Sequence, residues 1–331
     1  MPNTTPLVSI VMPAFNAEKT IVRAIDSVLK QTYSNIELLI VNDGSTDNTV
    51  NVVRQYKDSR INLITQSNSG PAVARNTGLK KVKGDYVAFI DSDDWYENDY
   101  VERLVSSMNT THSQMVVCGM IAHEHANTSC SAIFDACYET FFDNPMFLPI
   151  LESGIMNSPC NKCFEISIIR KCGIEFKDMA ILEDIDFNLR YLDCINKVCF
   201  IPYCLYHYDK NYSVVTTTVS SSMFENYIHL HAWLLSKVPT PFFSVISSFV
   251  YHQYVALSVR YVNLCIAKKI SRKEVRNVLN YYLANPFIQY SIRTHHSKFL
   301  GEKVLNILLI NRQIDLLLFY LNFVNKKKQN Q

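Results

Sequence analysis

Leu7–Met12 is an unbroken apolar, β-rich run closed by Pro13, and it predicts a buried strand. Over Glu18–Gln31 the apolar positions Ile21, Ala24, Ile25, Val28 and Leu29 share one face, which predicts a core-facing helix. Ile36–Val41 reads as the second strand. The turn Asn42-Asp43-Gly44-Ser45-Thr46-Asp47 follows, with Ser45 or Thr46 placed to cap a helix over Asp47–Tyr56. Ile61–Thr65 is a third strand and Gln66–Gly70 a loop. Pro71 opens a helix that runs to Lys81. Lys83-Gly84-Asp85 turns into a fourth strand, Tyr86–Ile90, and Asn98–Met108 and Met115–Met120 add a helix and a fifth strand. Strands alternating with helices predict a parallel sheet covered on both faces.

The alternation then loosens. Residues 121–160 read as an irregular insertion rich in Cys, Phe and Asn. Glu183–Leu192 reads as a short helix whose first turn carries Glu183, Asp184 and Asp186, a placement that also suits the helix dipole. Lys197–Ile201 and Cys204–Tyr208 read as strands closing that region. From about Met223 the pattern is helical. Val238–Val259 has no Asp, Glu, Lys or Arg and approaches the length of a membrane span. Pro239, Pro241, several Ser, His252 and Gln253 dilute it, so a buried or amphipathic helix is expected instead. Val304–Val324 is a second apolar run, followed by Lys326-Lys327-Lys328. Two domains are therefore expected. The first is an α/β domain over 1–220, with halves 1–120 and 121–220, and the second is a mainly helical region over 221–331.

Charge sharpens this division. The 331 residues carry a net charge of only +2, but beyond Glu225 14 Lys and Arg face 3 acids, a local +11 that leaves −9 for the first 225 residues. A basic, apolar C-terminal region suits surface attachment to an anionic membrane, and a helical bundle with a solvated Lys tail is its rival. No nucleic-acid partner is expected. The 10 Cys follow a short polar Met1–Pro6 that is no export signal, which predicts reduced thiols in a cytosol. Cys160-x-x-Cys163, with Cys172 and Cys194 beyond it, lacks a second close pair, so packed or surface thiols are expected and not zinc.

The chemistry concentrates after the fourth strand. Phe89-Ile-Asp-Ser-Asp-Asp-Trp95 places Asp91, Asp93 and Asp94 at a strand's carboxyl end, where open α/β sheets bind ligands. Clustered carboxylates repel one another unless a cation neutralises them. Two readings fit: an Asp-x-Asp site holding Mn²⁺ or Mg²⁺ against a diphosphate, or an acidic turn before a helix. No Gly-x-Gly-x-x-Gly follows the first strand, which argues against a dinucleotide oxidoreductase. No Gly-Lys-Ser/Thr appears, which argues against a P-loop NTPase.

Four stretches together resemble glycosyltransferase family 2. They are Ser9-Ile-Val-Met-Pro-Ala-Phe-Asn16, Val41-Asn-Asp-Gly-Ser-Thr-Asp47, Asn68-Ser-Gly-Pro-Ala-Val-Ala-Arg-Asn76 and Phe89-Ile-Asp-Ser-Asp-Asp94, in the family's order and spacing. Asn161-Lys162 and Glu183-Asp184 resemble its acceptor-side motifs. The resemblance implies a GT-A type, Rossmann-like, mostly parallel sheet flanked by helices, with a UDP-sugar donor, a divalent cation and inversion at the anomeric carbon. Carried over by position, Phe15 and Glu18 would border the nucleoside, and Asp43 would accept the uracil N3–H. Arg75 would face the diphosphate or nucleobase, and Asp91 and Ser92 would lie on the donor. Asp93, Asp94 and His207 would hold the metal, while Trp95 would be packing. Asp184 would be the general base with Glu183 orienting it. Lys210 stands where the family often has Arg. The implied role is transfer of a hexose or N-acetylhexosamine to a lipid-linked glycan, in bacterial surface-polysaccharide synthesis at the cytoplasmic face of the membrane. The rivals are a non-catalytic nucleotide- or glycan-binding subunit and a nucleotidyltransferase. The latter should carry a Gly-rich basic loop after the first strand, where Ala14–Glu18 stands instead.

Overall fold

The computed structural model describes residues 5–179, 181–212, 222–267, 270–294, 307–309, 311, 313 and 315–316. The chain divides into two compact units, Met1–Val214 and Val215–Gln331. In the first unit β1 (Val8–Ala14), β2 (Ile36–Asp43), β3 (Ile61–Gln66) and β4 (Tyr86–Phe89) are linked by α1 (Ile21–Leu29), α2 (Thr49–Gln55) and α3 (Pro71–Leu79). β1 pairs in parallel with β2 and with β4, and β2 with β3. Every residue of β1 and β2 is buried, as expected for central strands covered by helices on both faces.

α2 starts at Thr49, not Asp47, and neither Ser45 nor Thr46 caps it. Those side chains are used elsewhere: Ser45 Oγ accepts from Asn16 N, while Asp47 Oδ1 accepts from Thr49 N. Pro71 is the first residue of α3, where its missing N–H costs nothing.

β5 (Trp95–Tyr96), α4 (Tyr100–Thr111), β6 (Met115–Glu124), β7 (Asn127–Cys130), β8 (Ala136–Glu139), α5 (Phe147–Glu152), β9 (Lys162–Glu165), α6 (Ile166–Cys172), α7 (Glu183–Leu192) and β10 (Lys197–Asp209) complete the unit. The sheet order is β3-β2-β1-β4-β9-β6-β10-β5, with β7 on β6 and β8 on β10. β9 runs antiparallel between β4 and β6, so the sheet is parallel on one side and mixed on the other. The pattern missed β9 because Lys162 interrupts its apolar run, yet that side chain is fully buried. Lys197–Ile201 and Cys204–Tyr208 are one strand, not two: its register with β6 shifts between Phe200 and Tyr206, around Pro202. Proline cannot donate to a ladder and sits at such bulges.

Cys137 and Cys199 face each other across β8 and β10 and are joined as a disulfide, so these two depart from the expected thiols. Cys160 and Cys163 are buried, and burial pushes both thiols up, Cys163 to about 12.

The second unit holds α8 (Ser222–Lys237), α9 (Phe243–Ala267), α10 (Arg272–Leu283) and α11 (Pro286–Thr294). Val250, Tyr251, Tyr254, Leu257, Tyr261 and Val262 of α9 are buried among its neighbours, the buried-helix alternative for Val238–Val259. Phe224 of α8 stacks on Tyr282 of α10 at 4.7 Å, and Tyr282 donates to Glu225. Ser271 and Glu274 form a capping box that starts α10. No helix among the described residues is long and apolar enough to cross a membrane. Most of Val304–Val324, and all of Lys326–Lys328, lies outside the described residues.

Candidate active site

The chain runs β1, β2, β3 outward and then returns to place β4 on the other side of β1. Such a reversal leaves a crevice at the carboxyl ends of the strands. Three loops meet there: Phe15–Glu18 after β1, Gly44–Asn48 after β2, and the Asp91–Asp94 turn after β4.

The first two loops are laced together through side chains. Asn16, in the left-handed region at φ 50°, accepts from Thr46 N with its side chain while its own N–H donates to Ser45. Glu18 N donates to Asp47, and Glu18 Oε2 accepts from Asn48 N. Glu18 is therefore already bonded within the loop, while Phe15 beside it is 47% exposed. Asp43 is buried at the end of β2. Its Oδ1 accepts from Gln66 Nε2 at 2.8 Å and Ser69 N at 2.9 Å, and its Oδ2 from Gly70 N at 2.8 Å. A carboxylate offers about four lone-pair sites, so capacity for one further donor remains. Gly44, at φ 73°, lets the Asn68 loop approach this closely: a Cβ there would lie 2.7 Å from Asn68 N.

The acidic turn is locked from two sides. Arg23 of α1 lies 3.9 Å over the Trp95 ring and donates to the Asp93 carbonyl and to Asp209, each at 2.6 Å. Tyr206 of β10 donates to Asp94, and Asp209 N donates to Asp94 Oδ1 at 2.8 Å. Burial, then Asp91 and Asp93, push the Asp94 carboxyl well above its ordinary range, against those two hydrogen bonds. Asp93 is different: its carboxylate takes only its own backbone N–H among the described residues. Burial and then Asp91 push it up to about 6. Ser92 sits half-buried in the turn between them.

His207 is not free to ligate in this arrangement. Its Nδ1 lies 2.9 Å from His123 Nε2, its Nε2 lies 2.8 Å from Glu97 Oε1, and its ring stacks on Trp95. The structure therefore does not assemble Asp93, Asp94 and His207 as a ligand set, and no group of three such side chains is so arranged among the described residues. Of the three, Asp93 fits a cation: a half-buried carboxylate beside Asp91, with no cationic side chain bonded to it. The Trp95 ring lies against Arg23, His123 and His207. Lys210 pairs with Glu124 at the surface.

Asp184 comes to the same crevice from α7. Phe187, one turn further on, shares its helix face and is fully buried. It stacks on Phe176 at 4.0 Å and meets Phe89 and Phe164 edge-on at 5.8 and 5.6 Å. This cluster fixes α7 against the end of β4. Asn76 of α3 holds the Phe176 backbone through both its N–H and its carbonyl. Leu182, immediately before the acids, sits at φ 75°, a backbone costly for a branched side chain by about 1–3 kcal/mol. Such strain clusters at functional sites.

Arg75 joins the two acid groups. Its Nη1 donates to Asp184 Oδ1 at 2.9 Å and its Nη2 to Asp91 Oδ1 at 2.8 Å. Arg75 is 5% exposed, while Asp184 is 28% and Asp91 33% exposed, so the carboxylates keep an open side. Burial pushes Asp184 up to about 7, with Glu183 and Asp91 adding to it and Arg75 opposing it. Glu183 has no bonded partner among the described residues. Below the crevice, buried Lys162 donates to the Ile155 carbonyl and to Asn161 Oδ1, both at 2.7 Å, and to the Ser158 carbonyl. Asn161 in turn donates to the carbonyls of Cys118 and Ile155, so both motif residues bind the 155–158 loop from inside.

Sequence reasoning thus reached Asp43, Arg75, Asp91, Asp93 and Asp184 but missed the groups that set them: Arg23, Tyr206, Asp209, Asn76 and Phe176. Only Asn76 carried a signal, as the last residue of a motif.

Residues 9–168 match the model for glycosyl transferase family 2. The chain belongs to glycosyl transferase family 2 and is a glycosyltransferase. EpsH of Bacillus subtilis is 30% identical over 69% of this chain and 67% of its own length. WfaP of Escherichia coli, a UDP-Glc:α-D-GlcNAc-diphosphoundecaprenol β-1,3-glucosyltransferase, is 32% identical over 58% of this chain and 71% of its own. WfgD of Escherichia coli bears the same activity name and is 52% identical, over 31% of this chain and 41% of its own. Staphylococcus aureus TarS 1–349 in complex with UDP has the same fold, with a TM-score of 0.72 at 20% identity over 98% of this chain and 92% of that one.

Proposed function

We propose that this chain transfers a hexose or N-acetylhexosamine from a UDP-sugar to a lipid-linked glycan in bacterial surface-polysaccharide synthesis, by a single inverting displacement. The observation that carries the reading is the meeting of Asp91 and Asp184 on Arg75 at one crevice, from positions about 90 residues apart. The names of WfaP and WfgD support the donor and acceptor classes.

In this reading Phe15 and Glu18 border the nucleoside. Asp43 takes the uracil N3–H with its remaining lone pair, and Asp91 and Ser92 face the ribose and diphosphate. Asp93 would hold Mn²⁺ or Mg²⁺, which supplies Lewis-acid neutralisation of the departing UDP oxygen. Asp184 accepts the proton of the acceptor hydroxyl as that oxygen bonds to the anomeric carbon. The bond from that carbon to UDP breaks on the opposite face. A base near pH 7 suits this step, since it is half ionised and still accepts protons well. Glu183 orients the base or the acceptor.

Attachment to the cytoplasmic face of the membrane is supported by the basic C-terminal region and by exposed Tyr281, Tyr290, Ile307 and Leu316. Deleting residues 300–331 should then abolish pelleting with phosphatidylglycerol vesicles at moderate salt.

The deciding experiment screens UDP-, GDP- and dTDP-sugars with Mn²⁺, following thermal stabilisation and donor hydrolysis. A metal-dependent response to one UDP-sugar, lost in Asp93→Ala, is expected. Response to another nucleotide would overturn the donor assignment.

A further inference from the structure

We infer that Arg75 is a positioning residue that latches Asp184 in the donor-free enzyme, and that a nucleoside diphosphate releases Asp184 by taking its place on the guanidinium. The inference rests on the donor reading proposed above and adds an order to it: donor first, then acceptor.

Four observations carry it. One guanidinium serves two carboxylates from separate elements, Asp91 after β4 and Asp184 on α7, at 2.8 and 2.9 Å. Arg75 itself is 5% exposed and lies 5.4 Å over the Phe176 ring, so it cannot swing to solvent to meet a ligand. The two acids are the partly open members, so a ligand reaches them before it reaches the guanidinium. Finally, the neighbouring cations are committed: Arg23 to Asp209 and the Asp93 carbonyl, Lys162 to three oxygens.

An arriving diphosphate adds negative charge to a crevice that already holds Asp91, Asp93, Glu183 and Asp184. Guanidinium binds phosphate oxygens in the same forked way that it binds carboxylates. The diphosphate therefore competes with Asp184 for Arg75. A carboxylate paired with arginine is also a poorer proton acceptor than a free one. Displacement therefore frees Asp184 Oδ1 and strengthens Asp184 as a base, and an acceptor arriving first meets a carboxylate still bonded to Arg75. Arg75 Nε is buried without a hydrogen-bond partner, so the guanidinium is held through its two Nη atoms alone.

The test measures UDP binding with Mn²⁺ by calorimetry in the wild type, Asp184→Asn and Glu183→Gln. Asp184→Asn keeps an oxygen that can accept from Arg75 but loses the charge, so the competing contact is weakened and UDP should bind about tenfold tighter. Glu183→Gln removes an equal charge one residue away but no bond to Arg75, and should change affinity less than about twofold. In an Arg75→Lys background the Asp184→Asn gain should vanish, because an ammonium lacks the two-armed fork. Equal tightening in Asp184→Asn and Glu183→Gln would reduce the effect to general field and overturn the latch. Unchanged affinity in Asp184→Asn would overturn it while leaving the donor reading intact. Absence of UDP binding in all three would overturn both. Asp184→Ser replaces the Asn variant if that one does not fold.

Discussion

The two sides of the sheet use their polar side chains differently. On the parallel side, Asp43, Asn16 and Asp47 bond the backbone of neighbouring loops. These bonds shape loop ends and leave one lone pair on Asp43 and an exposed Phe15 ring. On the mixed side, Lys162, Asn161 and Tyr206 reach through the interior and bond the undersides of loops and the acidic turn. One side presents groups to a ligand, and the other side holds in place what is presented. Arg75 and Asp184 meet where the two systems join. The difference teaches that polar side chains have separate uses here: shaping loop ends at the crevice on one side, internal bracing on the other.

The comparison breaks most directly at the junction. Asp184→Asn should lower sugar transfer about 10²–10⁴-fold, the usual worth of a positioned base, with thermal stability little changed. Transfer at near wild-type rate would remove Asp184 from the chemistry and leave it as one more brace. Next in size is Phe187→Ala. It opens a cavity in the Phe89–Phe164–Phe176 cluster and should cost about 3–5 kcal/mol in chemical denaturation. Lost activity with unchanged stability would contradict its role as the anchor of α7.

Lys162→Met sharpens the bracing claim. It leaves three oxygens short of a donor and should cost about 1–3 kcal/mol. Its pH dependence adds a sign. Burial lowers Lys162 to about 7 from an ordinary value near 10.5. Between those pH values the unfolded chain binds the extra proton, so stability should rise with pH from 7 toward 10, and the Met variant should lose that slope. Smaller still, Asp43→Asn should weaken UDP binding about tenfold, because the amide cannot offer both oxygens. The last is a profile: transfer should rise as pH passes about 7 and flatten above it, since the Asp184 carboxyl must be ionised to accept a proton. A limb near pH 4 instead would mean a carboxylate in an ordinary environment.

The parallel side was legible because its rules are local. Leu7–Met12, Ile36–Val41 and Ile61–Thr65 announce themselves by apolar runs, and Pro71 and Gly44 by the backbone that they require. α7 was read at its observed bounds, since its acids and its apolar face are both within one element. β9 was not legible, because its Lys162 reads as exposed until the carbonyls that receive it are known. Nor was the Cys137–Cys199 bond, which depends on β8 lying beside β10 in register. The metal expectation shows the same limit. Asp93 could be named from its turn, but the commitment of His207 to His123 and Glu97 depends on partners 84 and 110 residues away.

The sequence by itself determined the alternation of strands and helices, the carboxylates at the strand ends and the family, because each is written in spacings within a few tens of residues. The tertiary structure alone decided which charges meet. Arg75 touches Asp184 across 109 residues and Arg23 touches Asp209 across 186. Such pairings follow from strand order and helix packing, which bring distant positions together while every local signal stays the same.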